Sequence, residues 1–212
     1  GDRYIITVKG KSAHAMEPEK GRNAAVLLAK FLKTELESGA GAEFVHFITD
    51  VFDGDHTGTT LGFNYYDEMS GETTLNPGIV TFNENGGAIE VSMRYSVTYP
   101  FDKKMTEVQA RMTETPFILD IAGDSKPHYV PEDDELVQTL LSVYQKHTND
   151  FSKVLSTGGG TYARVLKKGV AFGMLYPGEL DVAHQADEFV VVDNLLKAAA
   201  IYAEAIVKLA SK

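Results

Sequence analysis

The sequence predicts an α+β domain followed by a segment of α/β type. In the first part, strand and helix patterns follow one another in the order βααβββαβ, which favours an antiparallel sheet with helices on one face. A stretch rich in proline and acidic residues, 123–134, then separates the two parts. Beyond it, Val170–Leu175 is a near-continuous apolar run, typical of a strand buried on both faces of a parallel sheet. We therefore expect two domains, 1–130 and 131–212.

The first domain is expected to open with a strand and two helices. Tyr4–Lys9 has the pattern of a strand, which Gly10 ends. From Gly21 to about Glu37 the apolar period becomes helical, and a second helical pattern covers Phe44–Phe52. The apolar stripe of the first helix comprises Ala24, Leu27, Leu28, Phe31 and Leu32.

The rest of this domain is predicted to be rich in strands. One further helix would be capped by Asp102 and run to Glu114. A hairpin turn is expected at 83–87, because its Asn and Gly residues tolerate positive φ angles. The candidate strands are Leu61–Tyr66, Thr73–Phe82, Ile89–Val97 and Phe117–Ala122.

The second domain is expected to contain two long helices besides the buried strand. The first carries an apolar stripe over Leu136–Tyr144, and the last would be capped by Asp193 and run to Leu209. Between them, Gly158–Gly160 precedes a short helix predicted at Thr161–Lys168. His184 lies in a loop between the apolar strand and the last helix.

Composition and charge limit the classes of function. The formal net charge is −10, so the chain lacks the basic surface that binding to nucleic acid requires. No apolar run is long enough to span a membrane, and no cysteine is present to form a disulfide or a thiol nucleophile. The absence of cysteine suits a reducing compartment. We therefore expect a cytoplasmic protein that binds neither nucleic acid nor membranes.

Four features of the sequence could carry chemistry. His14 and His184 lie in loops that follow predicted strands, where functional side chains are frequent. Arg94 lies within a predicted strand, so its guanidinium either faces solvent or binds an anion. The amides of Gly158–Gly160 could bind a phosphate or carboxylate at the start of a helix, although the run equally suits a tight turn. No HxH, HExxH or HxD pair occurs, so local spacing defines no metal site.

One set of motifs extends, in order, over nearly the whole chain. It begins with Gly10–Ala15 and Asn76–Gly78 and continues with Pro127–Pro131, Thr157–Arg164 and His184–Phe189. This ordered set resembles the aminoacylase/carboxypeptidase-type di-zinc metallopeptidases. Within that family it is most similar to the peptidase V group of bacterial dipeptidases.

The resemblance implies a role for each candidate residue. The first domain would be the lid of a zinc-dependent dipeptidase, and the second would be the C-terminal part of its α/β catalytic domain. His14 would stabilise the oxyanion that forms on the peptide carbonyl, and Arg94 would bind the carboxylate of the dipeptide. The amides of Gly158–Gly160 would lie at the same end of the substrate, and His184 would be a zinc ligand.

The same resemblance implies that part of the enzyme lies outside this sequence. Members of the family carry an HxD pair, a Glu-Glu pair and a further acid in an N-terminal catalytic half, and this chain contains no such half. We therefore expect a C-terminal portion that supplies one ligand of a two-zinc site, is inactive alone, and has the missing half as its partner. Two alternatives stay open: a non-catalytic dimerisation or anion-binding α+β module, and a phosphate-binding α/β protein.

Overall fold

The structure is a computed structural model that describes residues 4–183 and 187–211. These described residues form a mixed α+β fold with five α-helices and two antiparallel sheets of two strands each. The chain divides into two compact units. Unit one comprises the described residues up to Pro127 together with Ser156–Gly159, and unit two comprises His128–Leu155 and the described residues from Gly160 onward. Which unit is a lid and which is catalytic stays a prediction.

Unit one contains three helices. Helix α1 spans Ala24–Leu32, α2 spans Ala40–Phe52 and α3 spans Phe101–Met112. Helix α1 begins at Asn23, whose side-chain oxygen accepts two backbone N–H groups of the first turn at 3.0 and 3.2 Å. These bonds satisfy donors that a helix start leaves unpaired. The side-chain nitrogen of Asn23 donates to the carbonyl oxygen of Pro77 at 2.8 Å, which attaches the helix to the neighbouring strand.

The strands of unit one form two hairpins. Strands β1 (Tyr66–Asp67) and β2 (Gly71–Glu72) form a short one, and β3 (Thr74–Asn83) and β4 (Gly86–Arg94) form the main one. The two-residue turn of the main hairpin is followed by Gly86 with a φ of 132°, a value that glycine adopts without strain. The predicted hairpin is therefore confirmed.

The core of unit one lies between the helices and the main hairpin. Val108 of α3 is fully buried. Phe31, which belongs to the predicted stripe of α1, is 48% exposed, so the stripe prediction is wrong at that position. Helix α1 also ends at Leu32, before the predicted end at Glu37. The buried cluster consists of Val26, Ala29, Phe44, Val45, Ile48, Val51, Phe52, Phe63, Leu75, Met105, Val108 and Met112.

Unit two is built on a pair of long helices. Helix α4 spans Glu135–Thr148 and α5 spans Val192–Ala210. Asp134 caps α4 by accepting the N–H of Leu136 at 2.9 Å. Among residues 4–183 and 187–211, no helix combines the length and the apolar character that a membrane span needs. The buried cluster between the helices consists of Val143, Ile201 and Ala205, with Leu140, Tyr144, Phe172, Tyr176 and Tyr202 packed against it.

A group of charged side chains joins α4 to α5. Glu204 of α5 accepts hydrogen bonds from Lys146 and from His147 of α4, both at 2.8 Å to the same oxygen. These bonds lower the pKa of the Glu204 carboxyl to about 2. Lys208 lies 3.4 Å from the other oxygen. His147 therefore has the structural role that its place near a helix C-terminus suggests.

Three predicted strands are wrong, and a fourth forms only at its end. Tyr4–Lys9, Phe117–Ala122 and Val170–Leu175 contain no strand, and only Tyr66 of Leu61–Tyr66 pairs, in β1. A strand persists only where a neighbour completes its ladder of hydrogen bonds, and within the described residues none of the three has such a neighbour. An apolar pattern predicts a segment able to pair, but it does not predict the partner.

Helix starts also differ from the predicted ones. Asp102 and Asp193 lie in the first turns of α3 and α5 instead of capping them. A carboxylate in a first turn is still stabilised by the positive end of the helix dipole. The helix predicted at Thr161–Lys168 is reduced to a 3₁₀ helix at Tyr162–Val165.

Candidate functional site

Unit one contains an open cleft of about 840 Å³. One wall is the loop that follows α2, and another is the short hairpin of β1 and β2. The floor includes the paired ends of β3 and β4. The lining residues are Met16, Glu17, Glu19, Asp53–Thr57, Thr59, Thr60, Ser70, Glu72, Thr74, Arg94 and Gly158.

Arg94 is the cation of this cleft. It is the last residue of β4 and pairs with Thr74 of β3, so the two side chains share one face of the hairpin. Among the described residues that line the cleft, it is the single Lys or Arg. Its Nε is buried and has no hydrogen-bond partner among the described residues. Because a buried donor without a partner costs about 1–3 kcal/mol, an anion bound here would be stabilised by pairing with it.

His14 lies in the loop beside the cleft rather than among its lining residues. The backbone N–H of Met16 donates to His14 Nδ1 at 3.2 Å. A neutral imidazole that accepts at Nδ1 carries its proton on Nε2, so Nε2 acts as a donor. Met16 itself lines the cleft, two residues beyond His14. Thr74 anchors this loop by donating its hydroxyl to the carbonyl oxygen of Ala15 at 2.9 Å.

Two of the three predicted glycines lie against the same loop. A Cβ on Gly158 would lie 2.8 Å from Met16 Cβ, so only glycine fits there. A Cβ on Gly159 would lie 4.0 Å from His14 Cε1. The N–H of Gly159 donates to the hydroxyl of Thr157 at 3.1 Å. In unit one, Gly158 and Gly159 therefore lie against the loop of His14 and Met16. Gly158 and Met16 line the same cleft as Arg94.

Gly160 belongs to unit two. A Cβ on it would lie 2.9 Å from Arg164 Nη1, within the same unit. The helix expected after this glycine run is a four-residue 3₁₀ helix. So short a helix sums few peptide dipoles, so the dipole argument for a bound anion fails here. A contribution of the Gly160 amide to substrate binding stays a prediction.

The predicted metal ligand cannot be placed. His184 lies outside the described residues. Among the residues that the structure does describe, no three His, Asp or Glu side chains form a group that fits a metal ion. Ligation of zinc by His184 therefore stays a prediction.

Acidic side chains form most of the charge in the cleft, and the sequence analysis missed them. Asp55 organises the wall that follows α2. Its carboxylate accepts the N–H groups of Thr57, Gly58, Thr59 and Thr60 at 2.7–3.1 Å. Burial alone would raise its pKa, but these bonds, with those of Thr60 foremost, hold the pKa of Asp55 at about 2. The other acids that line the cleft are Glu17, Glu19, Asp53 and Glu72.

The acids differ in how far they are already neutralised. Asp53 forms an ion pair with Lys30 at 2.7 Å, and Glu17 pairs with Lys20. Asp55 is held by the backbone of its own loop. The run of Thr and Gly after Asp55 is the signal that could have revealed this loop, because a carboxylate at such a position accepts the next backbone N–H groups.

Known proteins resemble this chain over almost its whole length. Residues 14–208 match the family described as Peptidase family M20/M25/M40. Over 210 residues the chain is 46% identical to a Bacillus subtilis (strain 168) protein named Putative dipeptidase YtjP, and the match covers 98% of this chain and 44% of that protein. Proteins also named Putative dipeptidase, from Staphylococcus aureus (strain USA300) and Staphylococcus saprophyticus, are 36% and 34% identical, with 97% of this chain and 44% of each protein covered.

These matches define the family and the extent of the resemblance. The chain spans 44% of the length of the curated relatives it matches. The family match covers far more than half of this chain, and the relatives agree with it. The chain therefore belongs to peptidase family M20/M25/M40.

Proposed function

We propose that this chain supplies the substrate-carboxylate site of a zinc-dependent dipeptidase, and that Arg94 is the group that binds the carboxylate. The observation that carries the proposal is the buried, unpaired Nε of Arg94 in the cleft of unit one. A guanidinium matches a carboxylate with two parallel hydrogen bonds, which sets the position of the substrate as well as its affinity. The names of the relatives support a dipeptide as the substrate.

His14 would act on the scissile carbonyl in this proposal. Its Nδ1 accepts the N–H of Met16, so its Nε2–H is a donor that could stabilise an oxyanion. The amides of Gly158, Gly159 and Gly160 would lie at the carboxylate end of the substrate. Unit one would then be the lid and unit two the C-terminal part of the catalytic domain.

The proposal includes zinc because the family resemblance implies a zinc enzyme and makes His184 a zinc ligand. The described residues contain no group that fits a metal ion, so no catalytic step is assigned to zinc here. His184 would be one ligand of a site whose other ligands the remainder of an M20 protein supplies. The general base would come from that remainder too, so the chain alone is expected to be inactive.

Binding by this chain alone tests the role of Arg94. The probe is a simple dipeptide, compared with the same dipeptide amidated at its C-terminus, in an NMR titration of the arginine Nε–H resonances. The Arg94 Nε–H resonance should shift and saturate with the free dipeptide and stay in place with the amide, because only the free form has a carboxylate. Arg22, which is exposed elsewhere in unit one, provides the control resonance. An equal response of Arg94 to both compounds, or none, would remove it from the proposed site.

A further inference from the structure

Two sets of hydrogen bonds hold the loop that carries His14. At the base of the loop, Lys11 and Arg22 exchange two backbone hydrogen bonds, both 2.9 Å long. Next to His14, the half-buried hydroxyl of Thr74 donates to the carbonyl oxygen of Ala15 at 2.9 Å. Thr74 is the first residue of β3, so this second bond attaches the loop to the main hairpin. The position of His14 therefore depends on a residue of the strand.

One peptide group links the hydroxyl of Thr74 to the imidazole of His14. The carbonyl of Ala15 and the N–H of Met16 belong to the same peptide group, which is planar. Its oxygen accepts the hydroxyl of Thr74, and its N–H donates to His14 Nδ1 at 3.2 Å. A hydrogen bond to a carbonyl oxygen polarises the peptide group and strengthens the bond that its N–H donates. The hydroxyl of Thr74 therefore acts on the imidazole through this peptide group.

Thr74 is also the residue opposite Arg94. The two residues pair at the end of the main hairpin, and both line the cleft. Residues directly opposite each other in an antiparallel pair have Cβ atoms about 4.5–5.5 Å apart. The backbone of Thr74 thus helps to place Arg94, and its side chain holds the loop of His14. One residue connects the two groups that the proposed function assigns to opposite ends of the substrate.

We propose that Thr74 is a positioning residue for His14 and that it sets the distance between His14 and Arg94, an inference that rests on the function proposed above. Thr74 acts through the peptide group between Ala15 and Met16, not on the substrate itself. Loss of its hydroxyl should therefore impair the step that His14 assists. Binding of the substrate carboxylate by Arg94 should remain, because the pairing of the two strands uses backbone atoms.

Two substitutions separate the hydroxyl of Thr74 from the rest of its side chain. Thr74→Val keeps a β-branched side chain, which suits a strand, but it cannot donate a hydrogen bond. Thr74→Ser keeps the donor. The matched control is Thr81→Val, the same change at an exposed position further along β3.

NMR on the chain alone tests the link between Thr74 and His14. Thr74→Val should speed hydrogen exchange of the Met16 amide by about fivefold or more, the equilibrium factor for one lost hydrogen bond. It should also shift the His14 Nδ1 resonance, whereas Thr74→Ser and Thr81→Val should leave both signals as in the wild type. The dipeptide titration of the Arg94 Nε–H should have the same midpoint in every variant, which also shows that the hairpin is intact.

Three results of this comparison would overturn the proposal. The Met16 amide and the His14 resonance could be unchanged in Thr74→Val, or Thr74→Ser could behave like Thr74→Val. The response of Arg94 to the dipeptide could be lost in Thr74→Val, which would mean that the side chain of Thr74 supports the hairpin as a whole.

Kinetics of a longer protein test the consequence for catalysis. The protein is a chimaera in which this chain replaces the 210 matching residues of the Bacillus subtilis relative. With zinc present, Thr74→Val should lower kcat for free dipeptides by about 10- to 100-fold, because the donor to the oxyanion is displaced. KM should change little, and Thr74→Ser should restore kcat.

The outcomes separate this proposal from the proposed function. A rise in KM with kcat unchanged, or a fall in kcat that Thr74→Ser does not restore, would overturn the role of Thr74. A wild-type chimaera that cleaves no dipeptide would contradict the proposed function, and the NMR comparison would still decide whether Thr74 positions His14.

Discussion

Residues in and beside the cleft differ in how far the sequence alone predicts their role. Arg94 could be singled out because an arginine within a strand either faces solvent or binds an anion, and His14 because it lies in a loop that follows a predicted strand. The sequence could not reveal that the Nε of Arg94 is buried with no partner among the described residues, since burial depends on which segments the fold brings together. The acids were missed for a related reason. Asp55 and Glu72 come from separate segments that only the fold brings to one cleft.

Asp55 gives a prediction at this scale. Asp55→Ala removes the acceptor of four backbone N–H groups and should lower the free energy of unfolding by about 1–3 kcal/mol at pH 7. The folded-state pKa of about 2 lies below the ordinary value of 3.8. The carboxylate therefore stabilises the fold fully above about pH 4, and the stabilisation is lost as the pH falls towards 2.

Urea unfolding of wild type and variant at several pH values measures this difference. Asp53→Ala is the control, because Asp53 lies in the same wall but forms an exposed ion pair with Lys30, and such pairs contribute about 0–1 kcal/mol. A destabilisation by Asp55→Ala no larger than that of the control would mean that Asp55 does not organise the loop.

Among the elements of the described chain, the five α-helices and the main hairpin could be predicted, and the remaining strands could not. Periodicity located α2, α4 and α5 because each buries one face against a neighbour, and the Asn-Gly turn located β3 and β4. Tyr4–Lys9 and Val170–Leu175 have strand patterns but no pairing neighbour in the described chain. The pattern of a segment does not indicate whether the fold places another strand beside it. The short β1 and β2 have too few residues for any pattern to detect.

Packing between the main hairpin and α2 gives a prediction at the scale of elements. A Cβ on Gly87 would lie 2.5 Å from the ring of Phe44, which is buried in the core. Gly87→Ala should therefore destabilise the protein by about 1–3 kcal/mol in urea unfolding, because the ring must move. Gly78→Ala is the matched control on β3, where the nearest atom to a new Cβ is 3.9 Å away and no loss is expected. Equal stability of the two variants would show that Gly87 of the hairpin is not packed tightly against Phe44 of α2.

For the whole molecule, the proposed function divides dipeptide hydrolysis between this chain and the rest of an M20 protein. The chain has a cleft with one arginine, and its described residues hold no group that fits a metal. The relatives named as dipeptidases are more than twice as long. In the proposed function this chain binds the substrate carboxylate, and the remainder of an M20 protein supplies the hydrolytic centre.

Hydrolysis by the chimaera, in which this chain replaces the 210 matching residues of the Bacillus subtilis relative, tests that division most directly. With zinc present, the chimaera should cleave dipeptides, and the chain alone should not. Arg94→Ala in the chimaera should raise KM for free dipeptides by about 10- to 100-fold, the loss of a hydrogen-bonded charge, and leave KM for C-terminally amidated dipeptides unchanged. An equal change for both substrates, or full activity of the chain alone, would contradict the account.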